Sequence, residues 1–204
     1  MSWDNTWTGE IEGIAAGPNG NVYAGTTSGM VRSYDGSGNE RWTYDTGAGV
    51  ESVSASASGS VYAGCQDGTL HRIDAKSGEE VWSADDHSAE ITTVATNVTG
   101  GDAVYSGDGS GEIQCHGADG DKRWTYNGHG NDVEGLYVRG NHVYAGDDTQ
   151  TASKVTTDGK EVWLRDVSDD IEGAAAGPSG QVYLNGDKSQ GVTGYSADGD
   201  KRWR

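Results

Sequence analysis

The sequence predicts an all-β chain in which five copies of a four-stranded antiparallel unit form a five-bladed β-propeller. The pair Val-Tyr occurs five times, at Val22-Tyr23, Val61-Tyr62, Val104-Tyr105, Val143-Tyr144 and Val182-Tyr183. A tryptophan follows each tyrosine after 19 or 20 residues, at Trp42, Trp82, Trp124, Trp163 and Trp203. Each of these tryptophans has a glycine four residues before it. Self-similarity at a period of about 40 residues is typical of propeller blades.

The first unit shows how each strand is predicted. Short segments rich in β-branched, aromatic or alternating apolar residues are separated by Gly-rich turns, which is the pattern of successive β-hairpins. The four segments are Ile11–Ala16, Asn21–Thr26, Met30–Asp35 and Glu40–Asp45, the last carrying Trp42. No stretch has sustained helical periodicity.

The remaining units repeat this pattern, with first strands that begin at Val50, Ile91, Val133 and Ile171. We expect one domain over residues 1–204, with blades at about 8–45, 46–85, 86–126, 127–166 and 167–204. Trp3 keeps the register of the blade tryptophans, so residues 1–7 are predicted to meet the C-terminal strand and close the ring. The alternative is an incomplete ring completed by dimerisation. A β-solenoid fits less well because its coils are shorter.

Composition limits the classes of partner. The net charge is −18, with 32 Asp and Glu against 14 Lys and Arg. Such a surface repels nucleic acid and anionic membranes. Abundant Asp, few Lys and small apolar residues resemble the proteins of extreme halophiles, in which about 1 M salt shortens the Debye length to about 3 Å and screens the repulsion.

The cysteines and the N-terminal segment bear on the compartment. Cys65 and Cys115 occupy non-equivalent positions in neighbouring units, which favours two unpaired thiols but leaves a disulfide open. The first residues lack the basic and apolar regions of a signal peptide, and no stretch is long enough to span a membrane. We therefore expect a soluble protein of the cytoplasm or of a virion.

Two segments resemble known propeller families. Residues 73–82, Ile-Asp-Ala-Lys-Ser-Gly-Glu-Glu-Val-Trp, are similar to the tryptophan-docking motif of quinoprotein-type (PQQ-like) blades. Asp86-His87 before Ile91, and Gly128-His129 before Val133, resemble the Gly-His start of WD40 blades. Both resemblances imply a propeller. The quinoprotein dehydrogenases have more blades and a vicinal cysteine pair, so no PQQ cofactor is expected here.

Acidic residues flank the first apolar residue of each first strand. Eight of these ten positions are acidic, against 32 acidic residues in 204 over the chain. They are Glu10, Glu12, Glu51, Glu90, Asp132, Glu134, Asp170 and Glu172. Residues on either side of one strand position point to the same face, and the first strand of a blade is innermost. The pattern predicts an axial site for Ca²⁺, Mg²⁺ or Na⁺, which prefer oxygen ligands, with a solvated acidic rim as the alternative.

Other residues give weaker signals. His87 and His129 are expected to be exposed loop residues. The blade tryptophans are expected to pack between blades, and Trp7, outside the repeat, is a candidate stacking residue for a sugar or a base.

Three functions are compatible with these features, and no nucleophile motif favours an enzyme. The preferred one is a non-catalytic interaction or structural module, such as a surface or virion decoration or host-attachment component of a halophilic system. Its partner would be a protein, a cell-surface glycoprotein or a glycan, within a larger assembly. The alternatives are a lectin-type propeller and a hydrolase that uses axial carboxylates such as Glu134 and Glu172.

Overall fold

A computed structural model describes residues 7–18, 20–167, 170–186 and 191–203. It confirms the predicted fold class. The strands form five sheets, and each sheet contains four antiparallel strands in sequence order. The molecule is a five-bladed β-propeller, and each sheet is one blade.

Each blade supplies four consecutive strands. Blade 1 contains β1 (Ile11–Ala16), β2 (Val22–Thr26), β3 (Met30–Tyr34) and β4 (Glu40–Asp45). Blade 2 contains β5 (Val50–Ala55), β6 (Ser60–Cys65), β7 (Leu70–Asp74) and β8 (Glu80–Ala84). Blade 3 contains β9 (Ile91–Thr96), β10 (Val104–Asp108), β11 (Ile113–His116) and β12 (Lys122–Tyr126). Blade 4 contains β13 (Val133–Arg139), β14 (His142–Asp147), β15 (Thr151–Thr156) and β16 (Glu161–Asp166). Blade 5 contains β17 (Ile171–Ala176), β18 (Val182–Gly186), β19 (Gly191–Tyr195) and β20 (Lys201–Trp203).

The second strand of each blade carries the Val-Tyr pair, and in blades 1 to 4 it is buried almost throughout. In β6 every residue from Ser60 to Cys65 is buried, so the usual alternation of buried and exposed residues is absent. This happens because the two faces of a central strand are covered by different neighbouring blades. A strand buried on both faces reads as a continuous run of small and apolar residues.

The first strands of successive blades pack against one another and form the inner wall. Contacts join β1 to β5, β5 to β9, β9 to β13 and β13 to β17. The amide of Val94 donates to Ser52 Oγ at 3.0 Å, and Thr92 Oγ1 donates to the Val133 carbonyl at 2.8 Å. The predicted convergence of the first strands is therefore present.

A glycine at the end of the Val-Tyr motif allows each blade to approach the next. A Cβ added to any of these glycines would collide with the first β-branched residue of the following blade: Gly25 with Val50, Gly64 with Ile91, Gly107 with Val133 and Gly146 with Ile171. Blade 5 carries Asn185 at the equivalent position, since Asn185 pairs with Val192 as Gly25 pairs with Val31. The face of blade 5 on which a following blade would pack therefore differs from the corresponding faces of blades 1 to 4.

Four of the tryptophans join one blade to the next, as predicted. The Nε1 atoms of Trp42, Trp82, Trp124 and Trp163 donate to the carbonyls of Ala75, Ala118, Thr157 and Ala197 at 2.9–3.2 Å. Each indole also packs on a glycine of the following blade, at Gly78, Gly120, Gly159 and Gly199. The glycine of each Gly-x-x-x-Trp motif therefore contacts the tryptophan of the preceding blade.

The first and last blades each present apolar residues to solvent. Ile11 is 49% exposed and Ile14 is 71% exposed, whereas Val50, at the position equivalent to Ile11, is fully buried. At the other end, Trp203 is 52% exposed. Residues 1–6 and 204 lie outside the described residues, so closure of the ring by the N-terminal segment stays a prediction.

The two cysteines are buried free thiols. Burial raises the pKa of Cys65 to about 12 and the pKa of Cys115 to about 11. Within the residues that the structure describes, no helix has the length and apolar character needed to cross a bilayer.

Candidate functional site

His87 lies in the loop before β9, and its ring is fully buried. Its Nδ1 lies 2.9 Å from Asp108 Oδ2, and its Nε2 lies 2.7 Å from Ser106 Oγ. Ser106 and Asp108 both belong to β10, so the histidine connects the loop to the central strand of the blade. Asp108 also accepts hydrogen bonds from the amides of Ser110 and Glu112, which closes the following turn.

Blade 4 repeats this arrangement. His129 Nδ1 lies 3.0 Å from Asp147 Oδ2, and its Nε2 lies 2.8 Å from Ser153 Oγ. The serine comes from β15 rather than from the second strand, although it pairs with Ala145, the residue equivalent to Ser106. Two chemically equal clusters are thus built from different strands.

The prediction that His87 and His129 are exposed loop residues is wrong. Both are less than 9% exposed, because each imidazole fills a gap between the loop and the blade. The sequence signal was the Gly-His resemblance combined with an aspartate at the end of the second strand. The other blades fill this gap differently: Thr46 and Cys65 occupy the two positions in blade 2, and Trp7 stands at the histidine position of blade 1.

These clusters have the connectivity of a Ser-His-Asp triad but lack its access. A triad needs an exposed hydroxyl that can reach a substrate carbonyl. Ser106 and Asp108 are fully buried, and Ser153 is 1% exposed. The arrangement therefore serves to hold the loop on the blade.

His87, Asp108 and Glu112 bring potential ligand atoms within 4.8 Å of one another. Both His87 nitrogens are already hydrogen-bonded to Asp108 and Ser106. A metal would have to replace those hydrogen bonds, so the geometry describes a closed hydrogen-bond network rather than a metal centre.

The buried aspartates are stabilised in their charged form. Burial alone would raise the pKa of Asp108, but the hydrogen bonds to His87 and to the amide of Glu112 outweigh it and lower that pKa below its ordinary value. The same balance of burial against His129 and the Thr151 amide lowers the pKa of Asp147. Each carboxylate is therefore ionised at neutral pH.

The predicted axial carboxylates differ in exposure and in partners. Glu10, Glu12, Glu90 and Glu172 are exposed, and Glu51, Asp132, Glu134 and Asp170 are half-buried. Gln66 Nε2 donates to Glu51 at 2.5 Å, and Gln150 Nε2 donates to Asp170 at 3.4 Å. Two of the carboxylates are therefore held by amides.

Glu134 lies in a group of negative charges contributed by blades 3 to 5. Burial raises its pKa, and the charges of Glu172, Asp132, Asp148 and Glu90 raise it further. Burial and the charge of Asp148 also raise the pKa of Asp132. Four of the eight predicted carboxylates thus act on one another, and Asp148, in the loop after β14, was not predicted.

Within the described part of the chain, no three of these eight carboxylates bring ligand oxygens within 4.8 Å of one another. The group is an area of negative potential rather than a preformed chelate. The axial cation site stays a prediction.

The exposed side of β1 is a second candidate site. Ile11 and Ile14 are flanked by exposed Glu10 and Glu12, which gives an apolar patch beside negative charge. Trp7 lies outside this patch and is half-buried, with its ring 5.6 Å from the Tyr34 ring and 4.8 Å from the Arg32 guanidinium. Its use as a stacking residue for a ligand stays a prediction.

Comparisons with known proteins agree with this architecture. A chain in a structure titled "Crystal Structure of Mitotic Checkpoint Complex" superposes with a TM-score of 0.84 at 18% identity. The alignment covers 94% of this chain and 62% of that one, so the present chain spans less than two thirds of its neighbour. No curated protein sequence matches. Residues 2–134 match the PQQ_2 family model, which is described as outer membrane protein assembly factor BamB. The chain therefore belongs to this family of PQQ-like repeat propellers.

Proposed function

We propose that this propeller is a non-catalytic protein-binding module that uses the exposed face of β1 to dock a sheet of another polypeptide. The observation that carries the proposal is the exposure of Ile11 and Ile14 in a chain whose equivalent first-strand residues, Val50, Val53, Ile91 and Val94, are buried. Removing apolar side chains of this size from water is worth roughly 1.5–3 kcal/mol each.

The four internal seams show what kind of surface fits this face. In each, the first strand of one blade is covered by the first and second strands of the preceding blade, with glycine opposite the β-branched residue. The expected partner surface is therefore a twisted antiparallel sheet with a glycine at its centre. Exposed Glu10 and Glu12 beside the patch favour Lys or Arg at the partner's rim.

A second copy of this chain is a poor occupant of the face. The surface that this copy would offer is the free side of blade 5, where Asn185 stands in place of the glycine. In blades 1 to 4, a Cβ at the equivalent position would collide with the next blade. Asn185 thus disfavours head-to-tail association of identical copies.

One substitution tests this idea in the full chain. Asn185→Gly gives blade 5 the surface of an internal blade, so the variant is expected to self-associate through β1, whereas the wild type stays monomeric in analytical ultracentrifugation. The double variant Asn185→Gly with Ile14→Arg is expected to return to the monomer. A folded Asn185→Gly protein that stays monomeric at high concentration would contradict docking at β1.

A finer biological setting is also proposed, with the charge as its support. We propose a surface or virion role in a halophilic system, supported by the net charge of −18. Melting in molar NaCl against dilute buffer checks the halophilic part, since screening should raise the melting temperature. A glycan array separates a protein partner from the sugar alternative.

A further inference from the structure

A cavity of about 480 Å³ lies between blades 4 and 5, at the ends of the blades opposite the carboxylates around Glu134. Its walls come from the β13–β14 turn, the β17–β18 turn and the segment before β20, with Thr99 of blade 3 at its edge. A volume of this size is typical of sites for small molecules.

The charge of this cavity is opposite to that of the protein. Three of its twelve lining residues are basic, Arg139, His142 and Lys154, and none of the twelve carries a carboxylate. Over the whole chain, acidic residues outnumber Lys and Arg by 32 to 14. A cluster of this sign is therefore unexpected from composition.

The three basic groups converge on Tyr144. Lys154 Nζ lies 5.7 Å from the centre of the Tyr144 ring, and the His142 ring lies 6.1 Å from it. The charge of Arg139 acts on the Tyr144 hydroxyl and opposes the effect of burial on its pKa. Positive charge is thus concentrated at one wall of the cavity.

Lys154 is nearly buried, and its ammonium group has few partners. It is 6% exposed, and within the described residues its ammonium group makes one hydrogen bond, to the Ala197 carbonyl at 3.0 Å. An ammonium has three hydrogen atoms to donate. Burial lowers the pKa of Lys154 and outweighs the opposing charge of Asp198. Burial together with the Lys154 charge lowers the pKa of His142. A negative group in the cavity would reverse both effects.

The equivalent cavity between blades 1 and 2 provides an internal comparison. It has Arg41 and Lys76 in its lining, but Asp74 accompanies them. Ser196 stands at the Asp74 position in blade 5, since Tyr195 pairs with Val182 as Ile73 pairs with Val61. The lining of the cavity between blades 4 and 5 therefore lacks the Asp74 carboxylate, and Asp198, at the Lys76 position, acts on Lys154 from outside that lining.

We propose that the cavity between blades 4 and 5 binds the oxyanion group of a small molecule, a phosphate or a carboxylate, through Arg139, His142 and Lys154. A planar guanidinium can donate two parallel hydrogen bonds to such a group, and a buried ammonium strengthens the attraction because bulk water screens it weakly. The cavity is larger than a single phosphate, which leaves room for an organic portion.

The test uses the full chain, with inorganic phosphate and succinate as probes and NaCl to hold ionic strength constant. Nuclear magnetic resonance should show saturable shifts of the His142 ring with an apparent Kd of about 1 mM, and the His142 titration should move to higher pH when the probe is bound. The stronger of the two probes identifies the oxyanion class.

Arg139→Gln tests the site without disturbing a buried side chain, and it should weaken binding by about tenfold, the loss of one charge-assisted hydrogen bond. Arg41→Gln, in the cavity between blades 1 and 2, is the matched control and should leave the Kd unchanged. Lys154→Met should also weaken binding. The proposal is overturned if the His142 ring shows no saturable response to either probe, or if Arg139→Gln and Arg41→Gln have equal effects.

Discussion

Gly78 packs against the indole of Trp42 in the preceding blade, and the same indole donates a hydrogen bond to the Ala75 carbonyl at 3.1 Å. The Gly-x-x-x-Trp motif therefore combines two different contacts. Its glycine packs against the tryptophan of the preceding blade, and its tryptophan packs against the glycine of the following blade. This explains why the two residues recur together once per blade.

The glycine contact can be separated from the backbone requirement. Gly120 and Gly59 both have φ of +90°, but a Cβ on Gly120 would lie 3.0 Å from the Trp82 ring, whereas a Cβ on Gly59 would have nothing within 4 Å. Gly59→Ala should cost about 1–2 kcal/mol from the left-handed backbone alone. Gly120→Ala should cost about 1–3 kcal/mol more, because the methyl group displaces the indole. Urea unfolding measures both, and equal losses would show that the contact contributes nothing.

Asp108→Asn should destabilise the protein by about 3–5 kcal/mol, because it leaves His87 without its charged partner in a buried site. Asp67→Asn is a suitable control, since Asp67 also accepts an amide hydrogen bond in a turn, from Thr69 at 3.0 Å, but is exposed. Its loss should stay below about 1 kcal/mol.

The Asp108 effect should also depend on pH. The folded-state pKa of Asp108 is lowered, so its stabilisation is complete above the ordinary carboxyl pKa and disappears as pH falls through the lowered value. The wild type and Asp108→Asn should therefore converge in stability below about pH 4. A difference that stays constant down to acid unfolding would contradict the assignment.

Glu134→Gln should stabilise the protein at neutral pH, because the raised pKa of Glu134 means that its ionised form opposes folding. Repulsion of about 2 kcal/mol between charges roughly 8 Å apart, discounted for the half-exposed site, leaves a gain of about 0.5–1 kcal/mol. The stability of the wild type rises as pH falls through the raised pKa, so the gain of the variant should vanish in mild acid and in about 1 M NaCl.

Glu79→Gln, in the exposed turn before β8, controls for the general loss of one negative charge. The prediction is tested by measuring the free energy of unfolding of the wild type and both variants by chemical denaturation at two pH values and two salt concentrations. An equal gain from Glu79→Gln would mean that net charge, rather than the carboxylates around Glu134, sets the effect.

The two thiols should not react with thiol reagents in the folded protein. Cys65 and Cys115 are fully buried, and burial raises their pKa values to about 12 and about 11, so both access and thiolate are lacking. A thiol reagent at pH 8 should label neither cysteine in buffer and both in denaturing urea. Fast labelling of the native protein would show that a blade opens without global unfolding.

The sequence predicts the blades well because their determinants are local and repeated: the Val-Tyr pair marks the central strand, and the tryptophan marks the fourth. The pattern of acidic residues that flank the first apolar residue of each first strand also places Glu134 near Glu172, because this pattern depends only on strand alternation. It could not find Asp148, which reaches the same place from a loop. His87 was misjudged because its burial depends on Asp108, a partner that only the pairing of β9 with β10 brings near the loop.

The tryptophan contacts run in one direction along the chain, and this gives the molecule a mechanical polarity. The indole of Trp42 is bound by blade 2, and the indole of Trp82, from blade 2, is bound by blade 3. By contrast, Trp203 in the last blade is 52% exposed. In a stack of units held by nearest neighbours, a unit with one such attachment detaches more readily than a unit with two. A force applied at the C-terminal end should therefore peel off blade 5 first and proceed backwards one blade at a time, as successive steps on an optical-trap trace.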